Sequence, residues 1–104
     1  MRYIVWEDND FRAEIEVINR QPFMHLEVFN WSKSVAIKMY EQFELAQKLL
    51  YIGGARQLFS LIPKSEAKII KFNRMYGMRF LKEHGDHIIM GCTLHAPEQS
   101  QVKD

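Results

Sequence analysis

Three acidic side chains and a histidine could together perform acid–base chemistry in this chain. Glu27 and His25 lie two residues apart in an alternating stretch, so they share one face of a predicted strand. Glu14 and Glu16 share a face of the preceding strand in the same way. If this face lines a crevice, Glu27 is the candidate general base, with a raised pKa. The alternative is a solvated sheet face that carries ordinary charges.

The histidines and the single cysteine suggest a metal site, but their spacing does not favour one. His84 and His87 flank a predicted loop that contains Asp86, yet no zinc-ligand spacing occurs and there is no second cysteine. We therefore expect no metal. Cys92 fits a small buried hydrophobe better than a nucleophile, and a lone cysteine agrees with a reducing compartment.

Positive charge is concentrated around the second predicted helix. Lys64, Lys68 and Lys71 recur at spacings of four and three, so they share one helix face. The whole chain is nearly balanced, with 14 basic and 13 acidic residues and a net charge of +1. That balance gives no broad attraction to nucleic acid or anionic membranes. A solvated face is the favoured interpretation, and contact with nucleic acid or a nucleotide phosphate is the alternative.

Length and composition predict one globular domain. The chain has 104 residues, of which 47% are hydrophobic, too many for a disordered protein. We expect residues 1–95 to form the domain and residues 96–104 to form a flexible tail. No stretch approaches the roughly 20 apolar residues of a membrane span, and no signal peptide is evident. These features favour a cytoplasmic location without a membrane partner.

The elements that must position the candidate residues begin with three strands. Alternation predicts strands over 3–6, 11–19 and 23–29, joined by turns at Asp8–Asp10 and Asn19–Pro22. Short turns between successive strands indicate an antiparallel meander.

Two helices and a hairpin follow the meander. Helical spacing predicts a helix over 34–52, capped by Ser32 or Ser34 and ended by Gly53 and Gly54. The remaining predicted elements are a strand over 56–62, a helix from a Ser65 cap to Gly77, and strands over 78–82 and 87–94 around a four-residue loop, 83–86.

The resulting order is β-β-β-α-β-α-β-β, an α+β fold with a mixed, mainly antiparallel sheet. A helical crossover between the third and fourth strands makes that pair parallel. A mixed sheet that splays at such a pair opens a crevice at the strand ends, where ligands tend to bind.

That order resembles the GCN5-related N-acetyltransferase fold, also called the acyl-CoA N-acyltransferase fold, in a truncated form. The most specific similarity is the aromatic-rich end of the second helix, Phe72–Met78, which contains Gly77. The small size and the Trp31-Ser32-Lys33 helix entry look most like acetyltransferase-like proteins of tailed bacteriophages. For such a protein, the resemblance implies a location in the host cytoplasm or a virion.

The resemblance places a cofactor at the start of the first helix. Active members hold the CoA pyrophosphate there on the backbone of a glycine-rich loop. This chain has no glycine at those positions, but it keeps a helix start with two hydroxyl groups and a lysine. The implied acetyl-CoA site comprises Phe29, Trp31, Ser32, Lys33, Ser34 and Val35.

The resemblance also implies two alternative functions. At the position where family members often carry a tyrosine that protonates the departing thiolate, this chain has Asn73, which would at most position the thioester. The first function is N-acetyl transfer to an amine, with Glu27 as the base. The second is a non-catalytic assembly or interaction protein that binds a phage or host protein. We also expect a homodimer in which the neighbouring subunit covers the substrate side.

Overall fold

The computed structural model describes residues 1–97, and its strands and helices follow the predicted order. The elements are β1 (Arg2–Glu7), β2 (Phe11–Ile18), β3 (Gln21–Val28), α1 (Lys33–Ile52), β4 (Gln57–Pro63), α2 (Ala67–Met75), β5 (Arg79–His84) and β6 (His87–Thr93). The predicted tail falls, beyond Pro97, outside the described residues.

The six strands form one mixed sheet in the order β1-β2-β3-β4-β6-β5. Strands β1, β2 and β3 form the predicted antiparallel meander, and β3 and β4 form the predicted parallel pair. Strand β6 pairs antiparallel with both β4 and β5. The structure therefore confirms an α+β fold with a mixed, mainly antiparallel sheet and two helices.

Both hairpin turns that join long strand pairs are shorter than the sequence suggested. Asn19 and Arg20 alone connect β2 to β3, with φ values of 51° and 66°, and Pro22 lies within β3 opposite Val17. Two positive φ values give a turn whose twist matches that of the strands. The predicted four-residue loop 83–86 is also wrong, because His84 already pairs with His87. A positive φ of 61° at Gly85 allows two residues to complete that turn.

Helix α1 ends at the predicted residue and begins at Lys33, one residue before the predicted start. Ser32 is the N-cap, and its Oγ accepts a hydrogen bond from the Val35 amide at 3.2 Å. At the other end Gly54 adopts a φ of 106°, and the Ala55 amide donates back to the Leu50 carbonyl at 2.9 Å. This pattern satisfies carbonyls that the helix itself leaves free.

Helix α2 begins later than predicted. Its N-cap is Glu66, which makes no side-chain capping bond, so the prediction of Ser65 as the cap is wrong. The Glu66 amide donates to the Pro63 carbonyl at 2.9 Å, so a backbone turn delays the helix start. The helix ends at the predicted glycine: Gly77 has a φ of 102°, and the Met78 amide donates to the Asn73 carbonyl at 3.0 Å.

Both helices pack against the same face of the sheet. Their buried side chains join two hydrophobic clusters. The first cluster comprises Ile15, Met24, Phe43, Leu58, Ile62, Ile69, Met78, Ile88, Met90 and Leu94. The second cluster comprises Phe11, Ala13, Val35, Met39 and Phe72. Within residues 1–97, neither helix packs its buried side chains on the opposite side of the sheet, which we call the open face.

Strands β3 and β4 stay together over a short distance only. Their register joins Phe23 to Phe59 and Met24 to Ser60, and no further residue pair. The remaining residues of β3 pair with β2 alone, and those of β4 pair with β6 alone. The sheet therefore opens at this parallel pair, as the predicted crevice requires.

Candidate functional site

A cleft of about 450 Å³ lies where β3 and β4 part. Leu26 and Val28 line it from β3, Leu61 and Pro63 line it from β4, and Ile69 of α2 lines it from the helix side. Its other lining residues are polar or aromatic: Arg2, Arg12, Glu14, His25, Glu27, Phe29, Glu66 and His87. The cleft thus combines an apolar passage between two strands with a charged rim.

Glu27 and His25 both line this cleft, as the sequence suggested. Glu27 is exposed and, within residues 1–97, forms no ion pair, so its carboxylate is accessible to a bound ligand. The His25 Nε2 atom lies 2.8 Å from the Glu16 Oε1 atom, which orients the imidazole ring. Glu27 is therefore the acidic side chain of this rim that is best placed to accept a proton.

Glu14 also lines the cleft but is held in its ionised form. Arg2 donates to its Oε1 atom at 2.7 Å, and Arg12 donates to its other oxygen. The hydrogen bond from Arg2, followed by that from Arg12, lowers the pKa of the Glu14 carboxyl. A carboxylate engaged in this way is a poor proton acceptor, so Glu14 serves as an anchor for the two arginines.

Of the predicted cofactor residues, Phe29 is the one that lines the cleft. Ser32, Lys33 and Ser34 are exposed at the start of α1, which follows β3 directly. Val35 is buried in the second cluster, and its amide already donates to Ser32. The structure thus places a helix N-terminus next to the cleft, with Val35 taking part in the cap.

The loop that leads into α1 is fixed to the β1–β2 turn. The Phe29 and Asn30 amides both donate to the Asp10 carbonyl, at 2.7 and 3.1 Å. Lys38 of α1 donates to Asp8 and Asp10 at 2.7 and 3.1 Å. These contacts fix the direction in which the helix start points. Because they use the Phe29 and Asn30 amides, an anion would meet the amides that follow them.

Trp31 does not line the cleft. Its side chain is 36% exposed, and the Lys68 Nζ atom lies 5.8 Å from the centre of its ring. The indole therefore lies beside the start of α2, where it places the Lys68 ammonium close to the start of α1. Lys33 and Lys68 thus supply two cations to the region predicted to hold phosphate groups.

Asn73 lies in the core and away from the cleft lining. Its side chain is fully buried, and its Nδ2 atom donates to the Ser60 Oγ atom at 3.2 Å. Ser60 in turn donates to the Met24 carbonyl at 3.2 Å. The Asn73 Oδ1 atom has no hydrogen-bond partner among the described residues. The predicted role of Asn73 at a thioester stays a prediction, and its observed contacts link α2 to β4 and β3.

The sequence reasoning missed several cleft residues. Pro63 is the last residue of β4 and Glu66 follows it closely, and the carboxyl ends of two parallel strands must meet at one edge of a sheet. That rule could have identified them. His87 reaches the cleft because it pairs with Pro63 in the sheet, and no local pattern indicates this pairing.

Within residues 1–97, the other candidate residues that the sequence suggested do not come together as a site. No three metal-ligating side chains within residues 1–97 converge as a metal site requires. Cys92 is half-buried, and desolvation raises the pKa of its thiol. Lys64, Lys68 and Lys71 are exposed, and Lys64 pairs with Glu83 at 2.9 Å. Neither helix in the described part of the chain is long and apolar enough to cross a membrane.

Comparisons with known proteins add no family to these observations. No protein-family model matches the chain, and a search of curated proteins finds no match. The functional argument therefore rests on the geometry of the cleft and of the helix start beside it.

Proposed function

We propose that this chain is an acetyltransferase-like protein of the acyl-CoA N-acyltransferase fold, which binds acetyl-CoA and acetylates an amine. The observation that carries the proposal is the opening of β3 and β4 after two residue pairs, next to the start of α1. An acyl-pantetheine chain is narrow and amide-rich, so it suits a passage between strands whose edge groups are unpaired.

The phosphates of the cofactor would bind at the start of α1. The helix contributes the positive end of its dipole, and Lys33 and Lys68 contribute charge. The chain lacks the glycines that let phosphates approach the backbone closely, so this contact would depend more on side chains. Micromolar rather than tighter binding is the expected consequence.

The acceptor amine would enter from the charged rim. Glu27 would take one proton from the amine as its nitrogen attacks the thioester carbon. Acetyl-CoA supplies the acyl group, and the bond that breaks is the carbon–sulfur bond, with the electron pair leaving on sulfur. The Asn73 side chain is a carboxamide and not an acid, and it lies in the core, so solvent would protonate the departing thiolate.

Isothermal titration calorimetry with acetyl-CoA tests this proposal. We expect micromolar binding that Lys33→Glu weakens about tenfold or more, because the reversal places a negative charge at the helix start. Lys48→Glu is the matched control, since Lys48 is an exposed lysine in the last turns of the same helix. Absence of heat at millimolar cofactor, or equal effects of both variants, would contradict the proposal.

A second variant separates binding from catalysis. Glu27→Gln should leave acetyl-CoA binding unchanged but reduce acetyl transfer to a panel of polyamines and lysine peptides by about 10²-fold or more. Transfer that survives this substitution at the wild-type rate would exclude Glu27 as the base.

A second candidate function is a non-catalytic assembly or interaction protein, plausible for a phage. The observation that favours it is the open face of the sheet, where Phe23, Phe59 and Leu61 remain only half-buried. A chain that binds no acetyl-CoA but forms a complex through this face would support that function over the first.

A further inference from the structure

An apolar patch lies at the centre of the open face. Phe23, Phe59, Leu61 and Ile89 are all half-buried and belong to neither hydrophobic cluster. The rings of Phe23 and Phe59 stack across the parallel pair, with centroids 5.2 Å apart. Leu61 and Ile89 sit opposite each other on β4 and β6. Three adjacent strands thus contribute one continuous apolar surface.

Gly91 leaves room for two large side chains of the open face. It pairs with Phe59 across β4 and β6, and a Cβ atom there would lie 3.1 Å from the Phe59 Cδ1 atom and 2.9 Å from the Leu81 Cδ1 atom. Both side chains therefore close over the glycine, although Leu81 remains 50% exposed. An apolar surface formed by neighbouring strands suits packing against another sheet.

The two sides of the patch carry opposite charge. On the β1–β3 side the open face has the carboxylates of Glu7, Glu14, Glu16 and Glu27 and the guanidinium groups of Arg2 and Arg12, which give a net charge of −2. On the other side, β5 places Arg79 opposite Gly91 and Lys82 opposite Ile89. Within the described residues, neither of these cations forms an ion pair.

We propose that the open face binds the open face of a second copy of this chain around a two-fold axis. A two-fold axis that lies between the two sheets and runs parallel to the strands brings the apolar patches together and places the acidic side of each copy over the basic edge of the other. Such a self-complementary surface is what a two-fold dimer requires. This inference does not depend on acetyl transfer. The dimer would cover Glu27 and the rim through which the acceptor amine is proposed to enter, so acetyl transfer would belong to the monomer.

The size of the surface indicates a weak dimer. Six strands at about 4.8 Å spacing and a length of about 20 Å give a face of roughly 600 Å² per copy. Two such faces bury about 1,200 Å², the lower end of the range for specific interfaces. We therefore expect dissociation in the micromolar range, and weaker association at high salt because the charges at the two sides are exposed.

A second exposed apolar surface serves as the control. Leu45, Leu49 and Ile52 are exposed on α1, far from the open face. Charged neighbours on the same helix, Glu41 and Lys48, interrupt this surface. It offers no separate acidic and basic sides, so the charge argument favours the sheet.

Sedimentation velocity of the full chain over a concentration series tests the proposal. Wild type should shift from monomer to dimer over the micromolar range. Leu61→Arg should weaken the dimer at least about tenfold, whereas Leu49→Arg should leave it unchanged. A wild type that stays monomeric at several hundred micromolar, or a dimer that Leu49→Arg disrupts and Leu61→Arg does not, would overturn it.

Two charge-reversal variants test the interface if Leu61→Arg fails to fold. Arg79→Glu/Lys82→Glu makes the basic edge acidic, and Glu7→Lys/Glu27→Lys makes the acidic side basic; all four positions are exposed. Each variant alone should be monomeric, and an equimolar mixture should form a heterodimer, because opposite charges then meet at both sides. Circular dichroism confirms folding of each variant, and a mixture that stays monomeric would contradict the proposed interface.

Discussion

Ser60 and Asn73 form a buried polar link at the point where the parallel strands part. Ser60 pairs with Met24 in the last residue pair that β3 and β4 share, and it bonds to the Met24 carbonyl and to Asn73. Two buried polar side chains in an otherwise apolar core must bond to each other or to backbone. This link fixes α2 relative to both edges of the cleft.

Asn73→Asp should strongly destabilise the protein. At neutral pH the substitution places a carboxylate in a fully buried position without a counter-charge, which costs about 3–5 kcal/mol. Burial raises the pKa of such a carboxyl, so the loss should shrink as the pH falls toward about 4. Urea denaturation checks this, with Asn73→Leu as the control, because leucine adds no charge and removes the unpaired Oδ1 atom. Equal stability of the two variants at pH 7 would contradict the burial argument.

Within residues 1–97, Asp8 is the carboxylate that accepts the most hydrogen bonds. Its oxygens accept from Lys38, Trp6 and the amides of Asp10 and Phe11 at distances of 2.7 to 3.0 Å. The hydrogen bond from Lys38, with smaller effects of the amides and the indole, holds the pKa of the Asp8 carboxyl well below its usual range. The carboxylate therefore stabilises the turn that anchors the start of α1.

The stability that Asp8 contributes should disappear in acid. A folded-state pKa below the unfolded value gives stability that is present above the ordinary value of 3.8 and is lost as the pH falls through the folded value. Asp8→Asn should melt below wild type at pH 7, and the difference should shrink progressively as the pH falls below the ordinary value of 3.8. Melting temperatures across this range provide the measurement. The exposed Asp86→Asn is the control, and a difference for Asp8→Asn that is constant with pH would count against this account.

At the scale of elements, the two helices begin differently although serine precedes both. Ser32 caps α1 through its Oγ atom, whereas Ser65 lies within a backbone turn and leaves Glu66 as an N-cap without a side-chain bond. The same residue type thus has a capping role at one helix and none at the other. The reason is the tight turn after β4, which the sheet imposes on α2.

Replacement of each serine by alanine should separate these roles. Ser32→Ala removes the bond to the Val35 amide and should lower the free energy of unfolding by about 1 kcal/mol. Ser65→Ala removes no capping bond, and the change should stay within about 0.5 kcal/mol. Chemical denaturation of both variants gives the comparison. A larger loss for Ser65→Ala would show that α2 is capped by its predicted residue after all.

At the scale of the molecule, the two hydrophobic clusters form one cooperative core. Val5, Leu26, Val28 and Tyr76 pack against both of them. Because the clusters share these side chains, neither can open without exposing the neighbouring cluster. A small domain with such a core is expected to unfold in one transition.

Substitutions in either cluster should therefore lower one common unfolding midpoint. Ile15→Val in the first cluster should cost about 0.5–1.5 kcal/mol, and Val35→Ala in the second about 2 kcal/mol. Tryptophan fluorescence reports on Trp6, which packs against the second cluster, and on Trp31 before α1, and far-UV circular dichroism reports on the whole chain. For both variants, the fluorescence and the circular dichroism should give the same unfolding midpoint. A fluorescence transition that Ile15→Val leaves in place while the circular dichroism transition moves would indicate two separate units.

The sequence by itself determined the elements and their order. Alternation in Phe11–Ile18, helical spacing along α1 and glycines with positive φ at positions 54 and 77 depend on neighbours in the chain, so local patterns predict them. The parallel pair follows as well, because a helix between two strands returns the chain to the same end of the sheet. The turn lengths were harder to predict from the sequence, because Pro22 and His84 pair with the neighbouring strand and belong to β3 and β5.

Only the tertiary structure decided what surrounds the cleft and what remains uncovered. His87 reaches the cleft through its pairing with Pro63, and Trp31 lies beside Lys68 of α2. Asn73 is buried because its helix packs on Ser60. These contacts join residues that are distant in the sequence. The apolar stripe of a helix shows which side of the helix is buried, but it does not indicate which face of the sheet the helix covers. Placement of both helices on one face left the cleft rim and the apolar patch together on the other.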